Sequence, residues 1–83
     1  PLTDKWRAFN WKVIEIDGHD FDQIDAAFCD AEVDEIKPTL ICANTVKGKG
    51  CSYMVGKPSL HYAPPSKEQY ESSVAELAGS EWF

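Results

Sequence analysis

The chain has 83 residues and a mass of 9.3 kDa, which predicts one small domain over residues 1–83. Fourteen acidic and eight basic residues give a net charge of −6, which argues against a nucleic-acid partner because phosphates require a basic surface. No apolar run is long enough to span a bilayer, and the first residues lack the pattern of a signal peptide. We therefore expect no membrane partner and a cytoplasmic location.

Three cysteines, Cys29, Cys42 and Cys51, stand far apart in the sequence. Zinc sites use closely spaced cysteine pairs or clustered histidines, and neither pattern is present. An odd number of scattered thiols does not form a disulfide framework and fits a reducing compartment. We predict free thiols that are buried or half-buried, and no metal site.

Acidic and basic residues are separated along the chain. Residues 1–36 hold ten acidic and three basic residues, whereas residues 37–83 hold four acidic and five basic ones. We interpret most of the acids as the solvated face of a helix. No acid lies between Lys37 and Lys67, so this stretch is the part of the chain that would attract an anion.

The first half of the chain predicts a helix, a strand and a second helix. Thr3 is a suitable N-cap for a short helix over 3–9, and the apolar run 13–16 is typical of a buried strand. Asp20 and Gln23 have the spacing of a capping box at the start of a helix over 21–33. The apolar stripe of that helix consists of Phe21, Ile24, Ala27, Phe28 and Ala31.

The second half predicts a strand, a long loop and a last helix. Residues 39–43 form another apolar run, which we interpret as a buried strand. The loop 44–65 is rich in glycine and proline, and loops of this length are usually functional or disordered. Ser66 and Gln69 have the spacing of a capping box for a helix over 67–78.

A strand, a helix and a strand in close succession predict an α/β fold. We expect part of a doubly wound parallel sheet, a βαβ unit with flanking N- and C-terminal helices. A two-stranded parallel sheet leaves both edges open and is hard to bury. Trp6, Trp11 and Trp82 add more apolar surface than a small core absorbs. We therefore expect a homo-oligomer, a dimer in the simplest case, or a larger sheet completed by another chain.

Two sequence blocks resemble the transketolase family. Residues 6–20 read W-R-A-F-N-W-K-V-I-E-I-D-G-H-D, similar to K-W-x-A-F-G-W-x-V-x-E-I-D-G-H-D in the thiamine-diphosphate-binding N-terminal subunit of split transketolases. Residues 37–50 read K-P-T-L-I-C-A-N-T-V-K-G-K-G, similar to the family's K-P-T-x-I-x-A-K-T-V-K-G-K-G. Residues 52–54 and His61 follow in the family's order. The resemblance extends over nearly the whole chain and matches the last third of the family's domain.

The resemblance implies thiamine diphosphate with Mg²⁺ as cofactors and ketol transfer between sugar phosphates as the reaction. In the family, a G-D-G motif and a later asparagine hold the metal, and both lie upstream of the matched region. The glutamate that activates the cofactor belongs to a different domain or subunit. We therefore expect the isolated chain to be inactive and not to bind the cofactor alone, and a companion transketolase subunit to complete the site. Two alternatives stay open, a non-catalytic self-associating interaction module built from a truncated domain and a remnant without activity.

The resemblance makes His61 the candidate catalytic residue. The matching histidine of the family lies at the active-site cleft, near the cofactor diphosphate and the substrate hydroxyls. An imidazole can serve there as a donor or an acid. The sequence departs from the family at Tyr62, where the family has glycine, and a loop histidine without a role is the alternative.

The candidate cofactor-binding residues follow the second strand, where ligands bind in open α/β sheets. Glycines permit close backbone approach and lysines favour phosphate. The sequence departs from the family at Asn44, where the family has lysine. The alternative to a cofactor-binding loop is a solvated turn without a ligand. The candidates are Lys47, Gly48, Lys49 and Gly50.

Overall fold

The computed structural model describes residues 1–34 and 36–80, which form two compact units, one over Pro1–Thr45 and one from Val46 onward. The described residues form three α-helices and a two-stranded parallel sheet, which confirms the predicted α/β class. None of these helices is long and apolar enough to cross a membrane. The first unit contains α1 (Leu2–Ala8), β1 (Lys12–Asp17), α2 (Phe21–Glu32) and β2 (Thr39–Asn44), and the second contains a short 3₁₀ helix (Pro58–Leu60) and α3 (Lys67–Ala78).

The sheet pairs β1 with β2 in parallel, as the strand–helix–strand order predicts. The register places Lys12 opposite Thr39 and Asp17 opposite Asn44, so each strand is slightly longer than its apolar run. The backbone N–H of Gly18 donates to the carbonyl of Asn44 at 2.8 Å, which continues the ladder beyond the last pair.

Gly18 permits the chain to leave β1 close against β2. A Cβ at this position would lie 2.5 Å from Thr45 Cγ2 and 3.0 Å from Ala43 Cβ. Glycine is therefore required here by a close approach within the first unit.

The prediction that Thr3 caps the first helix was wrong. Helix α1 begins at Leu2 because the Pro1 carbonyl accepts the Lys5 N–H at 3.2 Å, so the threonine lies inside the first turn. The rings of Trp6 and Trp11 pack edge to face with centroids 4.8 Å apart, on either side of the turn that joins α1 to β1.

The predicted cap of α2 at Asp20 is confirmed, but the Gln23 side chain does not form the second hydrogen bond of a capping box. Asp20 Oδ1 accepts the backbone N–H groups of Asp22 at 2.9 Å and Gln23 at 3.2 Å. Gln23 Oε1 instead accepts the backbone N–H of Asp17 at 2.8 Å, and its Nε2 donates to Asp20 Oδ2 at 3.2 Å. The Asp20 N–H donates to the Asp17 carbonyl, so it has a partner other than the glutamine. The glutamine therefore links the end of β1 to the start of α2.

The strands are less buried than their apolar runs predict. Among the described residues, the buried hydrophobic side chains are Ile16 and Ala27, and most strand positions are half-buried. On α2, Phe21 is 67% exposed and Phe28 is 59% exposed. Two strands present too little area for complete burial. Trp82, the third tryptophan whose apolar surface we expect a small core not to absorb, lies outside the described residues.

Asp34 caps the turn that follows α2 and gives the first unit a testable dependence on pH. Its Oδ1 accepts the backbone N–H of Lys37 at 3.0 Å and of Ile36 at 2.9 Å, and these bonds hold the pKa of the Asp34 carboxyl below its ordinary value. A carboxyl whose pKa is lower in the folded chain than in the unfolded chain stabilises the fold. This stabilisation is present above the unfolded-state pKa and is lost as the pH falls through the folded-state pKa. Asp34→Asn should therefore lose less stability on acidification than the wild type.

Thermal unfolding at neutral and acidic pH checks this expectation. Asp25→Asn is the matched control because it removes one exposed carboxylate of α2. An equal loss of stability in Asp34→Asn and in the wild type would contradict the role of the cap.

Candidate functional site

Residues 46–57 form a closed loop, which we call the basic loop because it holds Lys47, Lys49 and Lys57. The Gly56 N–H donates to the Lys47 carbonyl at 3.0 Å and joins the two ends of the loop. Successive turns within the loop add further backbone hydrogen bonds, including the one from the Met54 N–H to the Cys51 carbonyl at 2.8 Å. The long connection predicted from the sequence is therefore a folded segment with its own hydrogen bonds.

Gly48 shapes the basic loop through its backbone. Its φ is +79°, and a Cβ on it would lie 2.7 Å from the carbonyl carbon and oxygen of Met54. Only glycine fits both the left-handed conformation and this close approach. Gly50 also has a positive φ, +96°. The backbone conformation at both positions thus explains why glycine is present there, and no bound ligand is needed to explain it.

Glu76 holds the basic loop against α3. Its Oε1 accepts the Ser52 hydroxyl at 2.7 Å, and its Oε2 accepts the Ser52 backbone N–H at 3.2 Å. The two residues are 24 positions apart, and nothing in the local sequence indicated the contact. An acid therefore does reach the loop, although the stretch between Lys37 and Lys67 contains none.

The structure brings two predicted site residues together. Lys47 Nζ lies 2.9 Å from His61 Nδ1. The His61 N–H donates to the Pro58 carbonyl at 3.1 Å at the end of the 3₁₀ helix. The ring of Tyr62 packs edge to face on the imidazole, with centroids 4.6 Å apart. Both members of the Lys47–His61 pair are exposed, so their donors are open to a ligand.

The polar residues at the carboxyl ends of the two strands have structural partners. Asn44, which replaces the family lysine, donates from Nδ2 to Glu15 Oε1 at 3.1 Å and to the Ile16 carbonyl at 3.4 Å. Asp17 Oδ1 accepts the backbone N–H of His19 at 2.9 Å. These contacts lie at the carboxyl end of the sheet and in the turn that leads to α2.

The described side chains fit the anionic part of the implied cofactor better than its metal. Lysine and the imidazole N–H donate hydrogen bonds, and phosphate oxygens accept them. Within residues 1–34 and 36–80, no three His, Cys, Asp or Glu side chains are grouped so that they could hold a metal. The three thiols are free; Cys42 and Cys51 are half-buried as predicted, whereas Cys29 is exposed, so the prediction of a buried or half-buried thiol was wrong there.

The chain belongs to the family described as transketolase, thiamine diphosphate binding domain, which matches residues 2–79. The match includes both blocks on which the resemblance was based, and it confirms that resemblance. The βαβ unit and the basic loop therefore lie within the matched region.

Relatives with transketolase names align with most of this chain. A 6-deoxy-6-sulfo-D-fructose transketolase subunit, SqwG, from Clostridium sp. (strain MSTE9) is 47% identical over 77 residues, or 93% of this chain and 28% of the relative. An apulose-4-phosphate transketolase subunit from Phocaeicola vulgatus is 39% identical over 77 residues, 93% of this chain and 27% of its own length. The chromosomal transketolase of Cupriavidus necator is 43% identical over 61 residues, 72% of this chain and 9% of its own length. The chain thus spans little more than a quarter of the first two relatives.

Proposed function

We propose that the chain contributes anion-binding contacts to a thiamine-diphosphate-dependent transketolase whose site is completed by other protein segments or by a companion transketolase subunit. The observation that carries the proposal is the 2.9 Å contact between Lys47 Nζ and His61 Nδ1. It joins the two places that the family resemblance singles out, inside the matched region.

The chemistry of the pair suits a phosphate group. The Lys47 ammonium has further protons to donate beside the one directed at His61, and it carries a full positive charge. Charge-assisted hydrogen bonds to phosphate oxygens are short and strong. Thiamine diphosphate supplies the carbanion chemistry of ketol transfer when it is bound, and Mg²⁺ would bind its diphosphate through ligands outside the described residues. Lys47 and His61 would orient the anionic group.

The names of the relatives support an anionic ketose as substrate. One names 6-deoxy-6-sulfo-D-fructose and another names apulose-4-phosphate, and both sugars carry an acidic substituent. Both proteins are called subunits. We propose the same substrate class, sugar phosphates or their acidic analogues, and the same kind of partner for this chain.

The test is reconstitution with a partner protein. We expect co-expression with the product of a neighbouring reading frame that encodes the G-D-G motif or a pyrimidine-binding domain to give ketol transfer, with thiamine diphosphate and Mg²⁺ present. His61→Asn should then lower the rate by roughly 10²-fold or more, the usual scale for a lost acid or transition-state donor. His19→Asn is the matched control and should retain the rate. Equal rates in both variants would contradict the role of His61.

The isolated chain should show no ketol transfer from a ketose phosphate above the blank, even with thiamine diphosphate and Mg²⁺. The reason is that this chain does not contain the family's G-D-G motif, and the resemblance assigns the activating glutamate to a different domain or subunit. Calorimetry should likewise detect weak cofactor binding or none. A micromolar dissociation constant would show that the basic loop and His61 are sufficient for binding, and would contradict this expectation.

A second candidate function is a non-catalytic module that self-associates. The exposure of Phe21 and Phe28 on α2, together with the open edges of the sheet, favours it. A module of this kind would need no cofactor, so it would form its oligomer without thiamine diphosphate and would gain no activity from a partner.

A further inference from the structure

We infer that Lys47 is a positioning residue that holds the neutral imidazole of His61 in the tautomer with its proton on Nε2. The inference rests on the proposed role of His61 and assigns a role to the lysine that is distinct from direct contact with phosphate. It predicts which hydrogen bond the histidine can offer to a ligand.

The tautomer follows from the 2.9 Å contact and the chemistry of the two groups. A lysine ammonium has three donors and no acceptor, so His61 Nδ1 must accept with its lone pair. A neutral imidazole carries a single ring proton. That proton must then lie on Nε2. If Nδ1 were protonated, two donors would face each other at 2.9 Å, and the contact would be lost.

Backbone hydrogen bonds hold both partners in place. The Lys47 carbonyl accepts the Gly56 N–H at the point where the basic loop closes, and the left-handed Gly48 follows directly. His61 is held by its N–H bond to the Pro58 carbonyl and by the edge-to-face contact of Tyr62. The tyrosine stands where the family has glycine, so this chain has a support for the imidazole that a glycine does not provide.

The tautomer of His61 determines which kind of ligand atom can bind to its Nε2. With its proton on Nε2, His61 presents a donor to the solvent and has no free lone pair there. The group that binds against it must therefore offer an acceptor oxygen, such as that of a phosphate, a hydroxyl or a carbonyl. His61 would thus act at this nitrogen as a hydrogen-bond donor rather than as a base.

Long-range ¹H–¹⁵N correlation spectra of the ¹⁵N-labelled chain test the inference directly. At alkaline pH, where histidine is neutral, the wild type should show the His61 pattern of a protonated Nε2 and an unprotonated Nδ1, with widely separated ¹⁵N shifts. Lys47→Met should bring the two shifts closer because each nitrogen then averages over both tautomers. Lys47→Arg, which keeps donors at this position, should restore the separation, and Lys49→Met should leave it unchanged.

His61→Asn identifies the signals, since His19 is the other histidine in the chain. The backbone amides of Gly56 and His61 report whether the variants keep the fold. A wild-type spectrum with the proton on Nδ1, or an unchanged separation in folded Lys47→Met, would overturn the inference. The measurement contains no cofactor, substrate or partner, so failure of the proposed function would appear in reconstitution and leave this result intact.

Discussion

Replacing Gly48 by alanine should destabilise the second unit by roughly 2–4 kcal/mol. One part of this cost is the left-handed backbone at φ +79°, which costs a residue with a Cβ about 1–2 kcal/mol. The other is the position of the new Cβ, 2.7 Å from the backbone of Met54, because a backbone atom cannot move aside as a flexible side chain can. The lower chain entropy of alanine in the unfolded state offsets about 0.4–1 kcal/mol.

Gly56 provides the matched control within the same loop. Its φ is +67°, but a Cβ there would meet nothing within 4 Å. Gly56→Ala should therefore show the backbone cost alone, about 1 kcal/mol after the entropy offset. Urea unfolding followed by circular dichroism gives both values, and their difference measures the close approach to Met54.

Amide hydrogen exchange shows whether the loss is local to the basic loop. The N–H groups of Met54 and Gly56 donate to carbonyls inside the loop and should exchange faster in Gly48→Ala. Equal unfolding free energies for the two variants would mean that the loop shifts freely around the new methyl group. In that case the structural role assigned to Gly48 would be wrong.

The purified chain should self-associate, with a dimer as the smallest species. Among the described residues, each strand of the two-stranded sheet has one edge that pairs with no other strand, and such an edge pairs readily with another strand. Phe21 and Phe28 add two exposed aromatic side chains on α2. Edge pairing across a two-fold axis would extend the sheet and bury apolar surface.

Salt should strengthen this association. The net charge of −6 makes two copies repel each other, and salt screens exposed charges beyond about 8–10 Å. Size exclusion coupled to light scattering, over a range of protein and salt concentrations, measures the mass directly. A single species of 9.3 kDa under all conditions, with cooperative unfolding, would show that the chain covers its own edges.

A pair of matched double variants locates the contact. Phe21→Ser with Phe28→Ser should shift the chain towards the monomer, since it removes the exposed aromatic surface of α2. Tyr62→Ser with Tyr70→Ser removes two aromatic residues of the second unit that are 92% and 60% exposed, and should leave the mass unchanged. Loss of association in both variants would point to non-specific aggregation through exposed aromatic groups.

Features that depend on neighbouring residues were predictable from the sequence. Helix α3 has the predicted bounds, and its capping box is present, with Ser66 Oγ accepting the Gln69 N–H at 3.2 Å. The cap of α2 at Asp20 and the parallel pairing of the strands were also predicted, as was the family, from two blocks in the expected order. A cap needs residues three positions apart, and a strand–helix–strand unit constrains its own connection.

Contacts between distant residues were decided by the tertiary structure. Lys47 and His61 are 14 positions apart, and Ser52 and Glu76 are 24 apart, so no periodicity relates them. The burial of each strand position also depended on how much surface the packed helices cover, and the apolar runs predicted more burial than the structure shows. The sequence supplied the residue types at the candidate site, but the turns of the basic loop determined which of them meet. The physical reason is that such contacts form only when the chain closes on itself, and closure depends on all the intervening backbone rather than on the two residues.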